Sequence, residues 1–81
     1  MTTNDIRKGT KVMLRNGWGA TVEDNNTRGT TRLCTVYGWM TEMGSVYSSD
    51  IVKAEVNGVW TDVQMTSAQA KARANRNLMG F

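Results

Sequence analysis

Two valine-rich runs, Ile51 to Val56 and Val59 to Gln64, flank the dipeptide Asn57-Gly58, and no other stretch of the chain restricts the fold so sharply. Asn and Gly both tolerate the positive φ that a two-residue type I′ turn demands at its central positions. Such a turn sets Val56 opposite Val59, Ala54 opposite Thr61 and Val52 opposite Val63, which makes one mostly apolar face. On the other face Lys53 meets Asp62 and Glu55 meets Trp60, a pairing suited to solvent. An antiparallel hairpin is therefore expected here, with Trp60 pointing outward.

A second Asn-Gly pair sits inside Lys8-Gly-Thr-Lys-Val-Met-Leu-Arg-Asn-Gly-Trp-Gly-Ala-Thr-Val-Glu23. A two-residue turn at Asn16-Gly17 sends Ala20 and Val22 to the wrong face, because a one-residue slip inverts every side chain of a strand. A three-residue loop, Asn16-Gly17-Trp18, sets Leu14 opposite Ala20 and Val12 opposite Val22, with Trp18 at the tip. Residues 23–29 hold no apolar side chain and read as a solvent loop. Thr30 to Tyr37 is rich in Thr, Val and Tyr and reads as a third strand. Either Leu33, Thr35 and Tyr37 or Cys34 and Val36 face inward. Gly38 to Gly44 reads as a connection, Ser45 to Tyr47 as a short fourth strand, and Ser48-Ser49-Asp50 as a single 3₁₀ turn.

Thr66-Ser-Ala-Gln69 has the T-x-x-Q spacing of a capping box, so a helix is expected from Ser67 to Leu78. Ala68, Ala70, Ala72 and Ala74 favour a helix but spread around it and make no strong apolar stripe. Leu78, Met79 and Phe81 are the large apolar residues of this end, expected to dock on the barrel or on another subunit. The chain divides into a flexible arm over residues 1–7, a β domain over 8–65 and a basic helical tail over 66–81. Eighty-one residues suffice for one domain, near the lower limit for a self-sufficient core.

These strands make the expected fold class mainly β: a small antiparallel barrel of five to six short strands plus a C-terminal α-helix. The pattern Gly9-x-x-Val12-x-Leu14-x-x-Gly17, then Gly19-x-x-Val22, resembles an SH3-like barrel of the KOW kind over roughly residues 8–64. The resemblance implies a highly curved barrel. It also implies binding of RNA, DNA or ribosomal and transcription proteins through loops and exposed aromatics. In the KOW pattern a longer span with a basic-glycine pair separates the first turn glycine from the second strand. In size, absence of proline and lack of catalytic motifs the chain also resembles short proteins of tailed bacteriophages.

Function classes are bounded by what is missing. There is no histidine, the commonest general acid–base group. Cys34 thus lacks a histidine partner, sits in an expected strand and reads as a small buried hydrophobe. No G-x-x-x-x-G-K-[ST] loop occurs, and one cysteine among scattered carboxylates is no zinc set. The expectation is a protein that is not an enzyme, with no cofactor, no metal and no small-molecule substrate. A polar start, the absence of any long apolar run and a single cysteine fit a cytoplasmic protein without a membrane span, or a virion component assembled in that compartment.

Charge and aromatics supply the candidate binding residues. Residues 1–65 hold seven Lys/Arg against seven Asp/Glu, while residues 66–81 hold Lys71, Arg73 and Arg76 and no acid. The whole positive surplus lies on the tail, so these three are candidate contacts for phosphate or an acidic partner. At 100° per residue Arg73 and Arg76 share a helix face, and Lys71 lies about 200° from Arg73. Trp18, Trp39, Arg15, Arg28 and Arg32 lie on or beside loops, Trp60 points outward from its hairpin, and all six are candidate interaction residues. Tyr37, Trp39, Tyr47 and Trp60 could form an aromatic patch that anchors a protein interface. A protein partner or self-association is the first expectation, and nucleic-acid binding through stacking and guanidinium–phosphate pairs is the alternative.

Overall fold

A computed structural model of the chain describes residues 1–27 and 29–78, with the side chains of Asn77 and Leu78 outside that description. The elements are a 3₁₀ turn at Thr3–Asp5, strands β1 (Lys11–Leu14), β2 (Gly19–Val22), β3 (Thr31–Tyr37) and β4 (Thr41–Tyr47), and a second 3₁₀ turn at Ser48–Asp50. Strands β5 (Ile51–Val56) and β6 (Val59–Asp62) and helix α1 (Ser67–Leu78) follow. The fold is mainly β, as expected, with six antiparallel strands in the order β4-β3-β2-β1-β5-β6.

That order forces curvature. Four strand spacings separate β4 from β5, about 19 Å across a flat sheet. The chain crosses from Tyr47 to Ile51, a reach of at most about 14 Å even if fully extended. A compact 3₁₀ turn spans less, so the sheet must curl until the end of β4 approaches the end of β1. The backbone N–H of Arg15 accordingly donates to the carbonyl of Asp50 at 2.7 Å. The curl stops short of a closed barrel, because among the described residues no ladder joins β4 to β5 or β6.

The β5–β6 hairpin has the expected register, Val56↔Val59 through Lys53↔Asp62. Asn57 and Gly58 both have positive φ, 51° and 79°. The first hairpin corrects the expectation. Its three-residue loop is Arg15-Asn16-Gly17, not Asn16-Gly17-Trp18, so Val12 pairs with Ala20. Gly17 takes φ +91°, while Asn16 keeps the ordinary negative range. The N–H of Gly17 closes the turn on the Leu14 carbonyl at 2.9 Å, and the N–H of Leu14 donates to Trp18 at 2.8 Å. A tight turn ending in a single left-handed glycine fits that loop. The shift is by two residues, so Val12, Leu14, Ala20 and Val22 still face the core.

On β3 the open choice resolves with Cys34 buried and Leu33 and Tyr37 exposed. The stretch expected as a connection, Gly38 to Gly44, is mostly strand. Only Gly38-Trp39-Met40 turns, and β3 and β4 pair from Tyr37↔Thr41 to Thr31↔Tyr47. Gly44 marks no loop boundary; it sits mid-strand opposite Cys34.

Ile6, Val12, Leu14, Ala20, Val22, Cys34, Ile51 and Ala54 form the buried apolar core, and Met1, Val36, Val46 and Val63 pack around it. The arm expected over residues 1–7 is instead folded in. Ile6 is a core residue and Thr3 is buried. The N–H of Gln64 donates to the Met1 carbonyl at 2.8 Å. A core this small gains from every apolar side chain that covers its open end, which explains why Ile6 is recruited.

Helix α1 starts with the expected capping box. The Gln69 N–H donates to Thr66 Oγ1 at 3.2 Å, and the Thr66 N–H donates to Gln69 Oε1 at 3.0 Å. The described part of the helix docks on its own chain, against the two 3₁₀ turns rather than on the face of the sheet. Gln69 is buried, and Ala72, Arg73 and Arg76 are partly covered. The spacing i, i+3, i+4, i+7 makes one helical face. That face is polar: Gln69 Nε2 bonds Thr3 Oγ1, and Arg73 and Arg76 reach Asp50 and Ser49. The expected docking of Leu78, Met79 and Phe81 lies outside the described residues. No helix among the described residues is long and apolar enough to cross a membrane.

Candidate interaction surface

Three regions take up the candidate residues, and they lie apart. The first is on the outer face of the sheet. Gly19 on β2 stands directly opposite Tyr37 on β3, and having no side chain it leaves a gap beside that ring. Trp60, opposite Glu55 on the β6 edge, stands across the gap. The result is a hollow of about 300 Å³ lined by Lys11, Val12, Gly19, Ala20, Tyr37 and Trp60. Tyr37 is 51% exposed and Trp60 45%. The Tyr37 hydroxyl and Thr21 Oγ1 share a hydrogen bond of 3.0 Å, which fixes one wall of the hollow. Trp60 therefore points outward, as its register predicts.

The second region is the β3–β4 hairpin tip. Trp39 is 95% exposed and Met40 is exposed beside it. Trp18 is not at a loop tip. Its ring lies over Gly38, where a Cβ would come closer than 3.0 Å to Cε3, Cζ3 and Cη2. Gly38 is thus required for the close approach of the indole. The expected single patch of Tyr37, Trp39, Tyr47 and Trp60 is divided. Tyr37 and Trp60 share the hollow, Trp39 stands at the tip, and Tyr47 lies under Arg76.

The third region gathers cations. The Arg15 Nη2 donates to the Ser49 carbonyl at 2.6 Å, and its Nε lies 3.5 Å from Asp50 Oδ1. Arg73 Nη1 donates to the same Oδ1 at 2.8 Å. Arg76 Nη2 donates to Ser49 Oγ at 3.1 Å, with its guanidinium 3.8 Å from the centroid of the Tyr47 ring. Two guanidinium groups thus pair with the Asp50 carboxylate, and a third, Arg76, is held beside them on Ser49 and Tyr47. Lys71, on another side of the helix, is exposed and has no ion pair among the described residues. Arg28 lies outside the described residues.

Arg32 is a correction. It does not face a partner; it is the largest fully buried side chain, 1% exposed. Its Nε donates to Asp24 Oδ1 at 2.7 Å, Nη1 to the Thr3 carbonyl at 2.8 Å, and Nη2 to the Ile6 and Asp24 carbonyls at 2.9 Å each. It ties the 1–7 segment and the 23–29 loop to the sheet. Partial burial pushes the Asp24 carboxyl up. Hydrogen bonds from the Leu33 N–H and from Arg32, with the guanidinium charge, outweigh this and hold it below the ordinary aspartate value. The signal was in the strand. Arg32, Cys34 and Val36 share a face, so burying Cys34 carries Arg32 inward, and Asp24 is the acid within reach.

Burial pushes the Cys34 thiol up to about 11, so at neutral pH it is a protonated core group rather than a nucleophile. Among the described residues no three His, Cys, Asp or Glu side chains gather as a metal set. No family model matches the chain, and no curated protein and no solved structure matches it.

Proposed function

We propose that this chain is a non-catalytic binding module of the SH3-like kind that captures a protein partner, or a second copy of itself, through the outer-face hollow. The observation that supports this reading is the pairing of two half-exposed aromatic rings, Tyr37 and Trp60, across a glycine floor. Aromatic side chains set in a concavity are the usual anchors of protein interfaces. Covering the exposed half of each ring contributes on the order of 1–2 kcal/mol. Trp39 and Met40, both exposed at the β3–β4 tip, extend the apolar surface available to a partner.

The experiment is a comparison of the wild type with Tyr37→Ala and Trp60→Ala. Sedimentation measures self-association, and affinity capture followed by titration with the purified partner measures binding. Loss of binding at least roughly tenfold in both variants is expected, with little dependence on salt. If both variants keep the wild-type oligomeric state and partner affinity, the hollow is not the interface. Nucleic-acid binding is the second reading, supported by the cluster of Arg15, Arg73 and Arg76. It requires that short RNA or DNA quench tryptophan fluorescence with a steep salt dependence.

A further inference from the structure

We infer that Arg15, Arg73 and Arg76 form a binding site for a doubly charged phosphate group, of the phosphate monoester class. The inference is independent of the aromatic hollow. Each guanidinium carries five N–H donors in a fixed fork. Arg15, Arg73 and Arg76 each spend one donor in a hydrogen bond: to Ser49 O, Asp50 Oδ1 and Ser49 Oγ respectively. Asp50 pairs with Arg15 and Arg73, and Arg76 is held on the adjoining Ser49, so this corner gathers three positive charges and one negative charge. The surplus of two matches a phosphate dianion. Arg76 sits over the Tyr47 ring, which helps to position it without consuming donors. Arg15 and Arg73 are 43% and 32% exposed at the side chain, so an anion can reach them.

The rest of the ligand has a place to go. A hollow of about 330 Å³ adjoins the cluster through Arg15 and Asp50 and is lined further by Leu14, Asn16 and Val46. Leu14 and Val46 give it apolar walls, and Asn16 adds a polar edge. A small phosphate monoester with an apolar remainder suits this pairing better than free phosphate. A phosphodiester backbone, with a single charge per phosphate, matches the surplus less well. Guanidinium forks favour phosphate over a spherical anion because they can donate in pairs.

The test follows the arginine Nε–Hε resonances of the full chain by NMR at pH 7.5 and constant ionic strength. Chloride is exchanged in turn for inorganic phosphate and for phenyl phosphate. The expected result is saturable shifts at Arg15, Arg73 and Arg76 with both phosphates and not with chloride, with phenyl phosphate the tighter. Arg15→Gln and Arg76→Gln should each weaken phenyl phosphate at least roughly tenfold, while Lys71→Gln, outside the cluster, changes it less than twofold. Equal shifts in chloride and phosphate, or an equal loss on Lys71→Gln, would overturn the site. A short oligonucleotide that binds tighter than phenyl phosphate at the same arginines would overturn the monoester assignment. The wild-type anion comparison decides the matter even if a substitution loosens the helix.

Discussion

Arg32 and the Arg15–Arg73–Arg76 group use the same side chain for opposite ends. Arg32 is sealed from water and makes four hydrogen bonds to one carboxylate and three carbonyl oxygens. The other three stand partly in solvent, with one carboxylate shared by Arg15 and Arg73 and a serine hydroxyl holding Arg76, and leave most of their donors unspent. A guanidinium surrounded by acceptors belongs to the fold, and one surrounded by other guanidinium groups is available to a ligand. Exposure alone does not draw this line; the ratio of donors to acceptors does.

The comparison breaks most visibly at Arg32. Arg32→Met removes the charge partner of Asp24 and the guanidinium donors to the Thr3, Ile6 and Asp24 carbonyls, and a loss of about 3–5 kcal/mol is expected in urea unfolding. Arg32→Lys should recover only part of it, since a point charge cannot span the fork. A loss below about 1 kcal/mol for Arg32→Met would show that the clamp is incidental to stability.

Acid sharpens the contrast. The Asp24 carboxyl is held below its unfolded value of about 3.9. Its contribution is therefore fully present above that pH and is lost as pH falls through the folded value. Stability measured from pH 5 down to pH 2 should decline, and Asp24→Asn should flatten that part of the curve while lowering the plateau at neutral pH. An unchanged slope in the variant would remove Asp24 from the acid response.

Smaller effects are expected in the open cluster. Arg73→Gln or Asp50→Asn each break a partly exposed pair, and less than about 1 kcal/mol should be lost, falling further in high salt. Lys71→Gln, at an exposed cation with no ion pair among the described residues, should leave thermal stability within about 0.5 kcal/mol of the wild type. A larger cost at Arg73 than at Arg32 would invert the comparison.

Local rules explain what was legible in the sequence. The Asn57-Gly58 hairpin, the Ser48–Asp50 turn and the Thr66–Gln69 capping box are set by chemistry within a few residues, and each has its expected form. The outward position of Trp60 followed from register alone. What depended on distant partners was not legible. The fate of Arg32 was settled by Asp24, Thr3 and Ile6, and the helix docks by a polar face that a search for apolar stripes passes over. Trp18 went astray for a smaller reason: one glycine carries the left-handed turn, and the loop moves back a residue. The hollow between Tyr37 and Trp60 required strands β2, β3 and β6 to be placed together.

The buried start of the chain has a consequence for the order of assembly. Thr3 bonds both Arg32 and Gln69, the latter 66 positions away, and Met1 meets Gln64. A ribosome releases residues 1–6 before their partners Gln64 and Gln69, which emerge some sixty positions later. The early segment must wait in an unstructured state while the β-meander forms, and only then close the open end of the core. Contacts of such long sequence separation slow the final step of folding. Closing residues 1–6 over the open end of the core is thus expected as a late step of folding, after the strands have paired.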